Sequence, residues 1–181
     1  VRESQINGDP TLAFLVEADV TWHSAFIITS SGKTQAIVGL YDKQTVEDLK
    51  ADDKVESFVE GIKPQLQQFL KELNPGKIAV NYSIGSEICD GLTHGMYLTL
   101  YNYLKKIGME SRLISAEEII SALRQRKTKT EIAYIQEAIR VTLEIFDEVT
   151  DFIKPGKTEI EIAGFMKNQV RKRGLELAWE E

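Results

Sequence analysis

The chain has 181 residues, enough for one comfortable domain or for one domain and part of a second. Hydrophobic residues make up 43% and charged residues 28%, the proportions of a soluble globular protein. A net charge of -6 and a pI near 5.1 lack the basic footprint that non-specific nucleic-acid binding needs, so no nucleic-acid partner is expected.

A single cysteine, Cys89, rules out an intrachain disulfide and a thiolate metal cluster, and it fits a reducing, cytoplasmic location. No apolar run approaches the length of a membrane span and no charged-then-apolar leader opens the chain, so no membrane partner is expected. The chain starts at Val1, which leaves room for a signal upstream. Asn81-Tyr82-Ser83 spells a glycosylation sequon, read here as a chance occurrence.

In chain order, Leu12 to Val16 is a short apolar run that reads as a strand. Ala25 to Thr29 and Thr34 to Val38 read as two more strands, joined by a hairpin turn over Ser30-Ser31-Gly32-Lys33. Tyr41 to Lys50 reads as a helix and Val55 to Val59 as a strand. Ile62, Leu66, Phe69, Leu70 and Leu73 then repeat at helical spacing, and Asn74-Pro75-Gly76 ends that helix. Lys77 to Val80 is a buried strand, and this order of helix, tight stop and short apolar strand marks an α/β unit. Leu92 to Lys106 reads as a helix ending at Gly108, and Ser111 to Ile114 as a strand. Ser115 with Glu118 forms a capping box, opening a helix expected to bury Ile119, Ile120 and Leu123. A first domain, 1–124, closes there.

Residues 124–127 read as a linker to a second segment, 125–181. Thr128 with Glu131 makes a second capping box, starting a helix of about 25 residues, longer than the usual globular helix. Ile132, Ile135, Ile139, Leu143, Phe146, Val149 and Ile153 are expected along its buried face. Pro155-Gly156 breaks it, Thr158 with Glu161 makes a third box, and the next helix turns Ile160, Ala163, Met166 and Val170 inward before Gly174. Two such faces need a cover, for which a following sheet is the natural partner. No internal repeat or low-complexity segment is present.

The pattern Lys127-Thr128-x-x-Glu131-Ile132-x-x-Ile135-x-x-Ala138, followed by Lys154-Pro155-Gly156-x-Thr158-Glu159-x-Glu161-Ile162-Ala163, resembles the start of the "pita-bread" domain of the creatinase/prolidase/Xaa-Pro aminopeptidase family. The module before it is similar to the family's N-terminal domain, whose Pro-Asn-Ile-x-Tyr-Leu-Thr-Gly-Phe-like segment is matched by Pro10 to Glu17, with Val16 and Glu17 where Thr and Gly are usual. The resemblance covers nearly the whole chain. It implies an α/β fold: an N-terminal domain with a mixed sheet flanked by helices, then two helices of an incomplete pita-bread α+β domain. It also implies the N-terminal portion of a metallopeptidase that cleaves Xaa-Pro peptides, in which a hydroxide shared by two divalent cations (Mn, Co or Zn) attacks the scissile carbonyl. The family's metal ligands, two Asp, one His and two Glu, follow the second helix, so no catalytic or metal-binding residue is expected within 1–181. The chain's own role would be homodimerisation and shaping access to the site. A non-catalytic protein-binding module on the same fold and a creatinase-like amidinohydrolase are the alternatives.

Three local runs invite chemistry. In Cys89-Asp90-Gly91-Leu92-Thr93-His94-Gly95, Asp90 and His94 would share a helical face and could serve a metal or a Cys–His nucleophile; the plainer reading is a helix start. Trp22-His23 precedes the Ala25 strand, where the resemblance implies contact with substrate in trans across a dimer; the plainer reading puts Trp22 in the core. The basic cluster Arg124 to Lys129 reads as a solvated linker, and Arg171-Lys172-Arg173 sits where cations suit a helix C-terminus. No GxGxxG or Walker pattern is present.

Overall fold

In the computed structural model, which describes residues 9–16 and 19–178, the chain divides into two compact units, one running through Gln125 and one from Arg126. Glu17 and the closing Trp179-Glu180-Glu181 lie outside the described residues.

The first unit is mixed α/β. Strands β1 (Ala25–Ile28) and β2 (Thr34–Gly39) pair antiparallel, with Ala25 opposite Ile37 and Ile28 opposite Thr34. Gly32, at φ 82°, and the Thr29–Lys33 backbone bond close the expected hairpin. Helix α1 (Lys43–Leu49) returns the chain to β3 (Lys54–Phe58), which runs parallel to β2 with Gly39 opposite Phe58. Helix α2 (Lys63–Leu73) follows and stops at Asn74, whose φ of 44° takes the left-handed conformation that Asn tolerates. A second, two-stranded parallel pair is formed by β4 (Ile78–Val80) and β5 (Leu113–Ser115), with α3 (His94–Lys105) between them in sequence and α4 (Glu117–Gln125) after them.

Strand β2 is buried on both faces, and its alternation distributes the core. Ile37 joins Phe58, Ile62, Leu66, Leu70, Leu104 and Met109 on the α2–α3 side. Ala36 and Val38 point the other way, into a cluster with Leu12, Val16, Val20 and Val46 of α1. The near-continuous apolar reading of β2 follows from having helical cover on both sides.

Residues 12–16 differ from the expected strand. Leu12–Phe14 is a turn of 3-10 helix, and the backbone N–H groups of Leu15 and Val16 both bond the Leu12 carbonyl. The cause is local: the Asp9 carboxylate accepts from the Thr11 N–H at 2.8 Å and its hydroxyl at 2.6 Å, which coils the chain before a strand can start. Leu12 and Val16 are still buried, four residues apart, so the run is apolar because it packs, not because it extends. Likewise α4 buries only Ile120, leaving Ile119 67% and Leu123 52% exposed, and Ser115 ends β5, its hydroxyl donating to the Tyr82 carbonyl and accepting from the Glu117 N–H.

The second unit is a helical hairpin, α5 (Lys129–Phe152) and α6 (Glu159–Lys172), joined across Pro155-Gly156. Both expected capping boxes are present, Thr128 with Glu131 and Thr158 with Glu161. The face of α5 that packs differs from the expected one. Val141, Ile145 and Val149 meet Ile162, Phe165, Met166 and Val170 of α6, and the Phe152 and Phe165 rings stack at 4.2 Å. Of the expected inward residues, Ile132, Ile135, Ile139, Leu143, Phe146 and Ile153 remain exposed, forming an apolar stripe roughly 100° further round the helix. Ile160 of α6, expected inward, is also exposed.

Candidate functional site

Trp22 and His23 do not belong to a strand; they lie just before β1, at the sheet edge where the parallel strands β2 and β3 end. Asp42, buried after the end of β2, holds this loop. Its carboxylate accepts the Thr21 N–H and the Thr21 hydroxyl, both at 3.0 Å, and lies 3.5 Å from the Trp22 N–H. The Ser24 hydroxyl caps the turn by donating to the Trp22 carbonyl. The half-buried Trp22 indole stacks on Phe58 at 5.9 Å and meets the Tyr41 ring edge-on at 5.8 Å. The plainer expectation of Trp22 in the core is thus half right: one face packs on the α2–α3 core and the rest borders an open pocket. Exposed His23 lines the same pocket, with Phe58, Glu60, Gly61 and Tyr103. The pocket is an open one of about 500 Å³.

The residues that build this shelf carried no sequence signal. Tyr41 and Asp42 read as the start of a helix, and Gly39 falls just past the strand read over Thr34 to Val38. Only the fold brings them beneath Trp22.

The Cys89–His94 run does not assemble a site. Cys89 is buried, its Sγ 3.4 Å from the Ser121 Oγ. Asp90 accepts the Ser83 N–H at 3.2 Å, and His94 is the first residue of α3, capped by Thr93. Because the helix starts at His94, Asp90 and His94 never share a helical face. Among the described residues, no group of three or more His, Cys, Asp or Glu side chains is gathered to hold a metal ion. No metal-dependent step is assigned to the described residues.

The sequon residues are already occupied. Asn81 donates its side-chain amide to Asp9, and the Ser83 hydroxyl donates to Glu117 at 2.6 Å. In the basic cluster, the Arg124 guanidinium lies over the Phe14 ring at 5.2 Å, a cation–π contact. Charge effects are clear on α5, where Glu137 and Glu144 hold the Arg140 guanidinium above its usual range, and at the two helix caps. The backbone N–H of Thr158, the Lys157 ammonium and the Thr158 hydroxyl bring the Glu161 carboxyl down to about 2, and Thr128 lowers Glu131 in the same way.

Comparison with known proteins supplies relatives. No family model matches the chain. Over 85 residues it is 33% identical to a Mycoplasma pneumoniae protein described as "Putative Xaa-Pro aminopeptidase", a match that spans 46% of this chain and 23% of that protein. The structure superposes on an Xaa-Pro dipeptidase from Bacillus anthracis with a TM-score of 0.56 and 20% identity, covering 92% of this chain and 43% of that one. An X-Pro aminopeptidase from Thermotoga maritima gives a TM-score of 0.51 and 17% identity, over 91% and 43% of the respective chains. The chain therefore spans less than half the length of each of these relatives. No helix among the described residues is long and apolar enough to cross a membrane. This chain is thus similar over part of its sequence to a protein described as a putative Xaa-Pro aminopeptidase, and over nearly all of its length in fold to an Xaa-Pro dipeptidase and an X-Pro aminopeptidase.

Proposed function

We propose that this chain is the N-terminal portion of a metal-dependent Xaa-Pro aminopeptidase or dipeptidase, and that its own part is dimerisation and control of access to a site built by residues beyond it. The observation that carries this reading is the Trp22–His23 shelf, an indole packed on the core by one face and an exposed imidazole beside it, in a loop held at a sheet edge by a buried carboxylate. The exposed apolar stripe of α5 supports it as well, because α6 covers a different face and the stripe needs a further partner. When bound in such a protein, a pair of divalent ions (Mn, Co or Zn) would supply the hydrolytic nucleophile. The residues described here would position peptide and exclude water.

The test is peptide hydrolysis by a longer polypeptide that includes the continuing domain, assayed with Mn, Co and Zn on peptides carrying proline in second position. Cleavage before proline is expected, and His23→Ala should raise KM more than it lowers kcat if His23 contacts substrate in trans. A longer protein that leaves these peptides intact with every metal would overturn the enzymatic reading. A KM unchanged by His23→Ala would overturn the access role. Sedimentation of the 181-residue chain should show a dimer; a monomer at all concentrations would place the dimer contacts elsewhere.

A further inference from the structure

Helix α4 packs by one side and leaves the other bare. On its inner side Ile120 is buried, the Glu117 carboxylate accepts the Ser83 hydroxyl, the Ser121 Oγ lies 3.4 Å from the Cys89 Sγ, and the Arg124 guanidinium lies over the Phe14 ring. At about 100° per residue, Ile119, Ala122 and Leu123 gather on the opposite side, and all three are exposed. Two branched side chains four residues apart, 67% and 52% exposed with an alanine beside them, form the pattern of a helix-packing seam rather than of a solvated face.

Charge says which partner fits that seam. Glu117 and Glu118 open α4, Arg124 closes it, and Arg126 follows just beyond its end. A second α4 laid antiparallel on this side sets the acidic start of each helix against the basic end of the other, whereas a parallel copy sets like charges together. With Ala122 facing its counterpart on the two-fold axis, residues equally far before and after it lie opposite each other, so Glu118 faces Arg126 of the partner subunit. The small Ala122 side chain also lets the two helix axes approach to about 8 Å.

We infer that α4 is the seam of a homodimer, packed antiparallel on α4 of a second copy of this chain, with Ile119, Ala122 and Leu123 at its centre and a Glu118–Arg126 pair at each end. The inference rests on the dimerisation reading above and names the surface that carries it. Two turns of helix from each copy bury less than the roughly 1,000 Å² of a stable interface, so the dimer is weak, with a dissociation constant on the order of 10–100 µM. The seam uses no metal and no hydrolytic step, so it holds or fails independently of the peptidase reading.

The experiment is sedimentation equilibrium of the 181-residue chain over a concentration range from about 1 µM to about 1 mM, which brackets that dissociation constant. It is repeated on Ile119→Glu, on Glu118→Lys, on Arg126→Glu and on the last two combined. All three positions are exposed, and unchanged circular dichroism confirms that the variants fold. A monomer–dimer equilibrium is expected for the wild type. Ile119→Glu should weaken it by about tenfold or more, because a charge enters the centre of the seam. Each single charge reversal should weaken it about three- to tenfold, since one substitution alters both ends of a two-fold interface. The combined reversal should restore association, because opposite charges again face each other. A dimer that survives Ile119→Glu, or a combined reversal no tighter than the single ones, would overturn the α4 seam while leaving dimerisation to another surface. A wild-type chain that stays monomeric throughout would overturn the seam and dimerisation together.

Discussion

Gly39 lies directly beneath the Trp22 indole, so close that a methyl group at position 39 would sit 2.8 Å from the ring atom Cε3 and 3.3 Å from an Asp42 carboxylate oxygen. Two devices therefore fix the loop: Asp42 binds its backbone, and the bare α-carbon of Gly39 admits its ring. Gly39→Ala should lift the indole off Phe58 and cost about 1–3 kcal/mol, the usual range for overpacking. Near-UV circular dichroism and the thermal midpoint report it. Unchanged signals in both would mean that the ring does not depend on this contact.

Asp9 does comparable work at the other end of the unit. Buried, it accepts the Thr11 N–H and hydroxyl and the Asn81 amide, tying the N-terminal turn to the segment after β4. Asp9→Ala would leave those donors without their acceptor and should destabilise by about 1–3 kcal/mol. Gly91→Ala should be comparably harmful, because its methyl would overlap the Asp9 carboxylate and the Asn81 amide. Urea unfolding monitored by circular dichroism decides both, and neutral substitutions would show that this knot contributes nothing.

The two apolar faces of α5 predict opposite responses to the same truncation. Ile145 is 5% exposed in the seam with α6, so Ile145→Ala should cost the hairpin about 2 kcal/mol or more. Ile139, 54% exposed on the other stripe, should tolerate alanine within about 0.5 kcal/mol in this chain. Hydrogen exchange of α5 and α6 separates the cases. Equal protection losses would mean that the exposed stripe is already covered in solution.

Acid should loosen the hairpin through its capping boxes. The folded-state pKa of Glu161 is depressed from 4.5 to about 2 by Thr158 and Lys157, so its contribution is fully present above pH 4.5. That contribution is lost as pH falls from 4.5 toward 2, while Glu131 acts in the same direction at the start of α5. Helical signal should decline through this window, and Glu161→Gln should flatten the α6 part of the decline. A Glu161 carboxyl titrating near 4.5 by NMR would remove the basis for the effect. Separately, Thr158→Ala should cost about 1 kcal/mol at neutral pH, as loss of an N-cap does.

Much of the fold was legible because its signals are local. The helix stop at Asn74, the Gly32 hairpin, and the Thr128–Glu131 and Thr158–Glu161 boxes depend on neighbours within a few residues, and all form where the sequence places them. Residues 12–16 misled because a carboxylate three residues upstream outweighed a strand-like run. The α5 periodicity misled for a different reason: the helix carries two apolar stripes, and period alone cannot say which one a given neighbour will take.

For the candidate site the division is sharper. Sequence alone marked Trp22 and His23, and it determined the α/β character, the helix pair and the motif order that resembles the Xaa-Pro peptidases. Only tertiary structure decided that Gly39, Asp42, Phe58 and Tyr103 meet around Trp22, that Asp90 and His94 stay apart, and that the sequon amide serves Asp9 instead. The physical reason is separation along the chain. Caps and turns are set by bonds spanning two to four residues, whereas the shelf is assembled by strand register and helix packing between segments 20 to 80 residues apart, and no local pattern encodes which of them will touch.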